Sequence, residues 1–99
     1  MSAITISLEE NGAKGRYVAQ PAGHKDAGEM TFSRVSATKI IVDHTEVPDS
    51  LRGLGVGVAL AERVVADARE KGFQIVPLCP FFNAQAKRHP DWADVVIGL

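Results

Sequence analysis

The first half of the chain alternates between hydrophobic and polar residues, and this period of two is typical of β-strands with one buried face. In AITISLEE, the side chains of Ile4, Ile6 and Leu8 fall on one face. The runs GRYVAQP, EMTFSRV and KIIVDHTEV predict three further strands. Asn11-Gly12 predicts a tight hairpin in which both residues take positive φ. Because short turn signals separate the runs, we expect the four strands to form an antiparallel meander.

The fourth strand, KIIVDHTEV, carries several polar residues at its carboxyl end. Its alternation predicts one face with Ile40, Val42, His44 and Glu46, and another with Ile41, Asp43, Thr45 and Val47. Pro48 ends the strand, because proline cannot donate a hydrogen bond to the ladder. We therefore expect His44 and Glu46 to share a face near the strand end.

The second half of the chain changes to a helical period. The predicted helix from Val56 to Lys71 has an apolar stripe of Val58, Leu60, Ala61, Val64, Val65 and Ala68, with Glu62, Arg63, Asp67 and Glu70 on the opposite side. This pattern is typical of a helix packed on a sheet, and Gly72 suits a left-handed stop position. FQIVPLC predicts a buried parallel strand, in which Pro77 indicates an edge or an irregularity. FFNAQAKRH predicts a short helix, and PDWADVV predicts a terminal turn.

The order of these elements predicts an α+β fold in one domain spanning residues 1–99. A four-strand antiparallel meander is followed by a β-α-β crossover, which gives a mixed sheet, and then by a short C-terminal helix. The crossover should be right-handed. A chain of 99 residues is long enough to bury one modest core.

Composition narrows the function classes. A formal net charge of -1 argues against nucleic acid or an anionic membrane surface as a partner. The single cysteine, Cys79, favours a reducing compartment, and the segment MSAITISLEE lacks the features of a secretory signal. We therefore expect a cytoplasmic protein. Its three histidines are too scattered along the chain to predict a metal site.

Three glycines, Gly53, Gly55 and Gly57, lie where the long helix begins, although each costs about 1 kcal/mol against alanine inside a helix. One explanation is an anion site, because a backbone without Cβ atoms lets a phosphate approach the N–H groups of the first helical turn. The other is a tight turn with close helix–sheet packing. Two common phosphate motifs, G-x-x-x-x-G-K-[ST] and G-x-G-x-x-G, are absent. The glycines alone therefore leave both explanations open.

The segment from Arg52 to Gly57 does fit the pattern R-x-x-G-x-G, between an antiparallel fourth strand and a helix that leads to a parallel fifth strand. In this topology the motif resembles the acetyl-CoA loop of the GNAT superfamily of N-acetyltransferases. The segments HTEVPDSLRGLGVGVALAERVVADAREKG, VPLCPFF and RHPDW resemble its compact, single-domain members. One departure is the tight turn at Asn11-Gly12, because ordinary members have a helical segment there that walls the acceptor groove.

The resemblance implies acetyl-CoA as the co-substrate, and no metal. The backbone N–H groups that would hold its pyrophosphate are those of Arg52, Gly53, Leu54, Gly55, Val56 and Gly57. The pantetheine arm would pair with the backbone near Val47, in a cleft between strands four and five. Asn83 and Arg88 would flank the cofactor, with the Arg88 guanidinium on the adenosine 3′-phosphate. The alternative for this region is a solvated basic helix end.

Three side chains are candidates for the chemistry. Cys79 ends strand five and precedes Pro80, which suits the first position of a helix, and a cysteine at a helix N-terminus gains thiolate character. It is either a relay for the acetyl group or a buried small hydrophobe. His44 and Glu46 lie where the resemblance places a general base, which an amine acceptor needs. The alternative is that both belong to a polar strand end.

The leading hypothesis is a small acetyl-CoA-dependent N-acetyltransferase that passes the acetyl group to an amine, either directly or through Cys79. A second hypothesis is a module that binds CoA or acetyl-CoA with little or no catalysis, since the acceptor wall is missing. A third is an interaction domain without a nucleotide site. The acceptor, small molecule or protein, and the oligomeric state stay open.

Overall fold

The computed structural model describes residues 3–97 and contains a mixed β-sheet with two α-helices. The strands are β1 (Ile4–Asn11), β2 (Lys14–Pro21), β3 (Gly28–Ser36), β4 (Lys39–Glu46) and β5 (Gln74–Pro77), and the helices are α1 (Val56–Lys71) and α2 (Pro80–Arg88). Short 3₁₀ turns follow β4 and α2, at Asp49–Leu51 and Pro90–Asp94. The sheet order is β1-β2-β3-β4-β5, with β4 and β5 parallel and the other neighbours antiparallel. The predicted meander, crossover strand and C-terminal helix are confirmed.

One face of the sheet is buried and the other is open. The buried face carries Tyr17, Ala19, Met30, Phe32, Ile40 and Val42, and α1 packs on it through Leu60, Ala61, Val64, Val65 and Ala68. On the opposite face, no strand residue between positions 3 and 97 is buried. The protein therefore has two layers, with the helices on one side of the sheet. Within the described residues, neither helix is long and apolar enough to cross a membrane.

The buried stripe of α1 differs from the prediction at two positions. Asp67, predicted on the solvent side, is only 6% exposed, whereas Val58, predicted in the stripe, is 38% exposed. Asp67 is buried because the Tyr17 hydroxyl donates a 2.7 Å hydrogen bond to its Oδ2 atom. Arg63 Nε donates to the other carboxylate oxygen at 3.2 Å. These two hydrogen-bond donors offset the free-energy cost of burying the Asp67 charge. The hydropathy pattern of the helix does not reveal hydrogen-bond partners, so it did not predict this burial.

The hairpin between β1 and β2 is tight, but its turn lies one residue later than predicted. Asn11 pairs with Lys14, so the two turn residues are Gly12 and Ala13. Gly12 has φ 64°, and no residue other than glycine has positive φ in the described part of the chain. The expected positive φ of Asn11 is therefore wrong. The register places Leu8 opposite Tyr17 on the buried face, and this pairing determines which residues form the turn.

A β-bulge interrupts the pairing of β4 with β3. The register passes from His44 directly to Val42, so Asp43 is the extra residue. An extra residue reverses the alternation that follows it. Val42 remains on the buried face, but His44 and Glu46 are exposed on the open face, and Thr45 lies on the helix side. The prediction that Val42 shares a face with His44 and Glu46 is wrong for this reason.

Candidate active site

The loop between β4 and α1 presents free backbone N–H groups at the start of the helix. Gly53 has φ 85° and Gly55 has φ 77°, and this left-handed region favours glycine. Gly55 is the N-cap of α1, and no side chain caps the helix. The N–H groups of the first turn therefore have no acceptor within the helix, and the helix dipole adds partial positive charge to them. This arrangement is suited to an anion.

The third glycine of the loop has a different role. A Cβ atom at Gly57, in the first turn of α1, would lie 2.7 Å from Phe81 Cζ in the first turn of α2. A Cβ atom at Gly53 or Gly55 would meet nothing within 4 Å. Gly57 therefore allows the N-termini of the two helices to approach each other. Gly53 and Gly55 supply the backbone conformation and leave open space beside the loop.

A cavity of about 280 Å³ lies in front of this loop, between the end of β4 and the start of α2. We call it the loop cavity; its lining residues are Val47, Pro48, Leu51, Arg52, Gly53, Gly55, Val56, Gly57, Val58 and Phe81. This lining includes all the predicted loop residues except Leu54, which packs partly buried against the core. One wall is the loop backbone, and the other is apolar, formed by Val47, Val58 and Phe81. Such a cavity matches a ligand with an anionic part joined to an apolar arm.

Arg52 is at the solvent edge of the loop cavity. Its guanidinium donates to Asp49 at 2.9 Å, and the two side chains are 82% and 92% exposed. A surface ion pair of this kind contributes little stability, typically about 0–1 kcal/mol. The guanidinium therefore exchanges Asp49 for another anion at small cost.

Cys79 joins β5 to α2 on the helix side of the sheet. It is the N-cap of α2 and is 2% exposed, and Pro80 follows it in the first turn. Its backbone N–H donates to the Val42 carbonyl at 2.8 Å, next to the last pair of the β4–β5 ladder, Val42 with Pro77. Beyond this point the chain turns into α2 while β4 continues, which opens the space that holds the loop cavity. The Cys79 Sγ atom lies 3.3 Å from the Thr45 hydroxyl.

The two candidate bases lie on the other side of the sheet. His44 and Glu46 are both exposed on the open face of β4, so the expectation that they share a face holds. Glu46 is paired in register with Glu29, whose carboxylate accepts a 2.8 Å hydrogen bond from Arg16. Because Thr45 and Cys79 are on the helix side, β4 separates the candidate thiol from the candidate bases.

Asn83 and Arg88 do not join the loop cavity. Asn83 lines a separate cavity of about 390 Å³ together with Lys87, His89 and Trp92, where the His89 and Trp92 rings stack at 4.2 Å. Arg88 is exposed at the C-terminal end of α2. A helix of this length carries Arg88 about 12 Å from the first turn. Neither residue therefore lines the loop cavity, and their contact with the cofactor stays a prediction.

Sequence reasoning missed three residues near the loop cavity. Phe81 was not among the predicted site residues and Val58 was predicted in the apolar stripe of α1, but both are partly exposed and line the cavity. Thr45 was not among the predicted site residues. All three residues are identified by contacts between β4, α1 and α2. The hydrophobic periodicity of a single element does not reveal such contacts. No group of three or more potential metal ligands occurs within residues 3–97.

Comparison with known proteins places this geometry in context. A family model of GCN5-related N-acetyl-transferases matches residues 16–95. Among solved structures, the chain is similar to the NMR solution structure of a GCN5-like protein from Staphylococcus aureus. The two share 30% sequence identity, the match covers 94% of this chain and 89% of that one, and the TM-score is 0.69. The comparison with curated proteins gave no match.

Proposed function

The chain belongs to the GCN5-related N-acetyltransferase family, and from this premise we propose that it transfers the acetyl group of acetyl-CoA to an amine. The observation that carries the proposal is the uncapped N-terminus of α1, which opens with Gly53 and Gly55 onto the loop cavity. Acetyl-CoA supplies an activated thioester when bound. The free thiol of Cys79 supports a cytoplasmic location for the reaction.

The residues of the loop cavity fit the two halves of CoA. The backbone N–H groups of Gly53, Gly55, Val56 and Gly57 would hold the pyrophosphate, because they are donors near the positive end of the α1 dipole. The N–H groups of Arg52 and Leu54 instead donate to the carbonyls of Asp49 and Leu51. The pantetheine arm lies along the backbone of Val47 and against the ring of Phe81, and these apolar surfaces exclude water from it. The Arg52 guanidinium leaves Asp49 and adds a charge-assisted hydrogen bond to a phosphate oxygen.

Cys79 receives the acetyl group in the route that we favour. The thiol of Cys79, the N-cap of α2, first loses its proton to water. Its Sγ atom then attacks the acetyl carbonyl carbon, a new S–C bond forms, and the bond from that carbon to the CoA sulfur breaks. The CoA thiolate takes a proton from solvent. An unprotonated amine next attacks the acetyl-cysteine, the bond from the acetyl carbon to Sγ breaks and releases the Cys79 thiolate, and the nitrogen passes its extra proton to solvent, which leaves an amide.

His44 and Glu46 serve as bases for the incoming amine. Both are exposed on the open face, where no helix covers the sheet within the described residues. An amine that approaches from this side loses its proton to one of them before attack. In the direct route the same bases act while the acetyl group is still on CoA.

The test of the cofactor proposal compares CoA with pantetheine, which lacks the pyrophosphate. We expect CoA to raise the melting temperature and pantetheine to have a much smaller effect at equal concentration, because the N–H groups of the loop then have no anion. At a hundredfold excess over Kd, CoA should stabilise the fold by about 2.7 kcal/mol. Equal shifts from both compounds, or none from CoA, would contradict the proposal.

A second candidate function is a module that binds CoA with little or no catalysis. It is favoured by the two-residue turn between β1 and β2, which leaves no segment there to wall an acceptor groove. Release of free CoA thiol, followed with a panel of amines, separates the two functions. Release that depends on an amine supports the enzyme, whereas tight binding without such release supports the module.

A further inference from the structure

The Thr45 hydroxyl forms the one side-chain hydrogen bond to Cys79 found within residues 3–97. The Oγ1 and Sγ atoms are 3.3 Å apart, although the residues are 34 positions apart in sequence. Thr45 follows the bulge at Asp43 and lies on the helix side of β4, whereas its neighbours His44 and Glu46 are exposed on the other side. The bulge therefore directs this hydroxyl towards the thiol.

The backbone already holds Cys79 in place without the hydroxyl. Its N–H donates to the Val42 carbonyl at 2.8 Å, and Pro80 limits the backbone of the first turn of α2. Packing alone would be satisfied by valine at position 45, which has the same shape as threonine and also suits a strand. A neutral thiol is only a weak hydrogen-bond partner. The hydroxyl therefore has more to gain from a negatively charged sulfur, since hydrogen bonds to ions are the stronger ones.

We propose that Thr45 is a positioning residue for Cys79. The Thr45 Oγ1–H group donates a hydrogen bond to the Cys79 Sγ atom, which directs the sulfur towards the loop cavity and stabilises the thiolate. This role rests on the proposed function, in which the acetyl group passes through Cys79. The hydrogen bond itself is present in the protein without a ligand. The proton that Cys79 loses goes to water, and Thr45 keeps its own proton throughout. Its role is to hold the attacking sulfur and, after amide formation, the returning thiolate.

Alkylation with iodoacetamide tests this role directly, because Cys79 is the only cysteine of the chain. The rate is measured at neutral pH for the native protein, for Thr45→Val and for Thr45→Ser. We expect Thr45→Val to be slower by about tenfold to a hundredfold, as the loss of one hydrogen bond to a charged group implies. Thr45→Ser keeps the hydroxyl and should remain within about twofold of the native protein.

The direction of the change separates positioning from packing. A variant that only loosened the site would expose the buried thiol and react faster, not slower. The three proteins unfolded in denaturant should react at equal rates, which controls for the reagent. Alkylation of Thr45→Val at or above the native rate, or of Thr45→Ser as slowly as Thr45→Val, would overturn the proposal.

CoA binding separates this proposal from the proposed function. We expect CoA to raise the melting temperature of all three proteins equally, because Thr45 does not line the loop cavity. If CoA binds none of them, the proposed function fails while the alkylation contrast still decides the role of Thr45. If CoA binds and the alkylation rates are equal, only the role of Thr45 fails.

Discussion

At the residue scale, glycine acts in the loop before α1 through two separate properties. Gly53 and Gly55 adopt positive φ with open space around them, so their role is conformational. Gly57 has no Cβ to collide with Phe81, so its role is steric. Substitution by alanine should distinguish the two roles, because it strains the backbone at Gly53 or Gly55 and introduces a steric clash at Gly57.

Gly55→Ala is predicted to destabilise the fold and to weaken CoA binding. Placing alanine in the left-handed region costs about 1–2 kcal/mol, and strain at the N-cap turns the N–H groups away from the anion. Gly12→Ala is the matched control, because Gly12 also has positive φ and open surroundings but lies in the hairpin. Melting temperature and CoA titration are measured for both. Equal CoA affinity in the two variants would contradict an anion site at α1.

Gly57→Ala is predicted to leave stability within about 1 kcal/mol of the native value, because alanine improves helix propensity by about that amount while its Cβ displaces the Phe81 ring. CoA affinity should fall, since Phe81 is part of the apolar wall of the loop cavity. A double-mutant cycle with Phe81→Ala checks the cause. In the Phe81→Ala background, Gly57→Ala should cause no further loss of affinity. Additive losses would show that Phe81 does not transmit the effect.

At the scale of elements, α1 is fixed to the first hairpin by a polar contact. The carboxylate of Asp67 on α1 accepts from the Tyr17 hydroxyl of β2 at 2.7 Å, and Arg63 of α1 donates to the Ile6 carbonyl of β1 at 3.3 Å. These hydrogen bonds add to the apolar packing of α1 on the sheet. They determine how α1, and with it the loop cavity, sits on the sheet.

The contact predicts a loss of stability at high pH. Burial, followed by the hydrogen bond to Asp67, raises the pKa of Tyr17 well above its ordinary value of about 10. Because the folded state favours the protonated phenol, its contribution is complete below pH about 10 and declines as the pH rises further, by up to about 1.4 kcal/mol per pH unit.

Urea unfolding of the native protein and of Tyr17→Phe, at neutral pH and above pH about 10, measures this contribution. Tyr17→Phe should be less stable at neutral pH, because Asp67 loses one donor, and the difference should shrink as the pH rises. Tyr17 is the only tyrosine, so the absorbance of tyrosinate reports its titration directly. A constant difference between the two proteins, or titration of Tyr17 at its ordinary value in the folded state, would show that the contact is not protecting the phenol.

The order of the elements followed from the sequence because strand and helix periods are local properties. The start of α1 is also a local property, and the predicted helix from Val56 to Lys71 is confirmed. The binding of a cofactor by the residues from Arg52 to Gly57 stays a prediction. The bulge at Asp43 was not predictable, because alternation along β4 does not reveal which residue its partner strand skips. The burial of Asp67 and the contact of Thr45 with Cys79 depend on residues distant in sequence, and a pattern within one element carries no record of them.

At the scale of the whole molecule, the sheet separates two chemistries. The loop cavity and Cys79 lie on the helix side, whereas His44 and Glu46 lie on the open face. In the proposed reaction the acetyl donor enters from the helix side and the amine from the open face, and the two meet beyond the last β4–β5 pair, where β5 no longer lies beside β4. The two-residue turn between β1 and β2 leaves no segment there to cover the open face.

Cys79→Ala tests whether the acetyl group passes through Cys79 on the helix side of the sheet. If the acetyl group passes through Cys79, the variant should bind CoA as the native protein does but lose amine-dependent turnover, because the amine on the open face no longer meets an acetylated sulfur. Incubation with acetyl-CoA alone should add one acetyl group to the native protein and none to Cys79→Ala, as measured by intact mass.

The paired substitutions His44→Gln and Glu46→Gln complete the test, because they lie on the other face of β4. Both variants should still acquire the acetyl group on Cys79, since the bases act only on the amine, while their turnover becomes slower and shifts towards higher pH, where more amine is already unprotonated. Full turnover by Cys79→Ala would rule out the relay and assign the transfer to direct attack. Loss of acetylation in His44→Gln or Glu46→Gln would instead mean that the bases act on the thiol, which their position across the strand argues against.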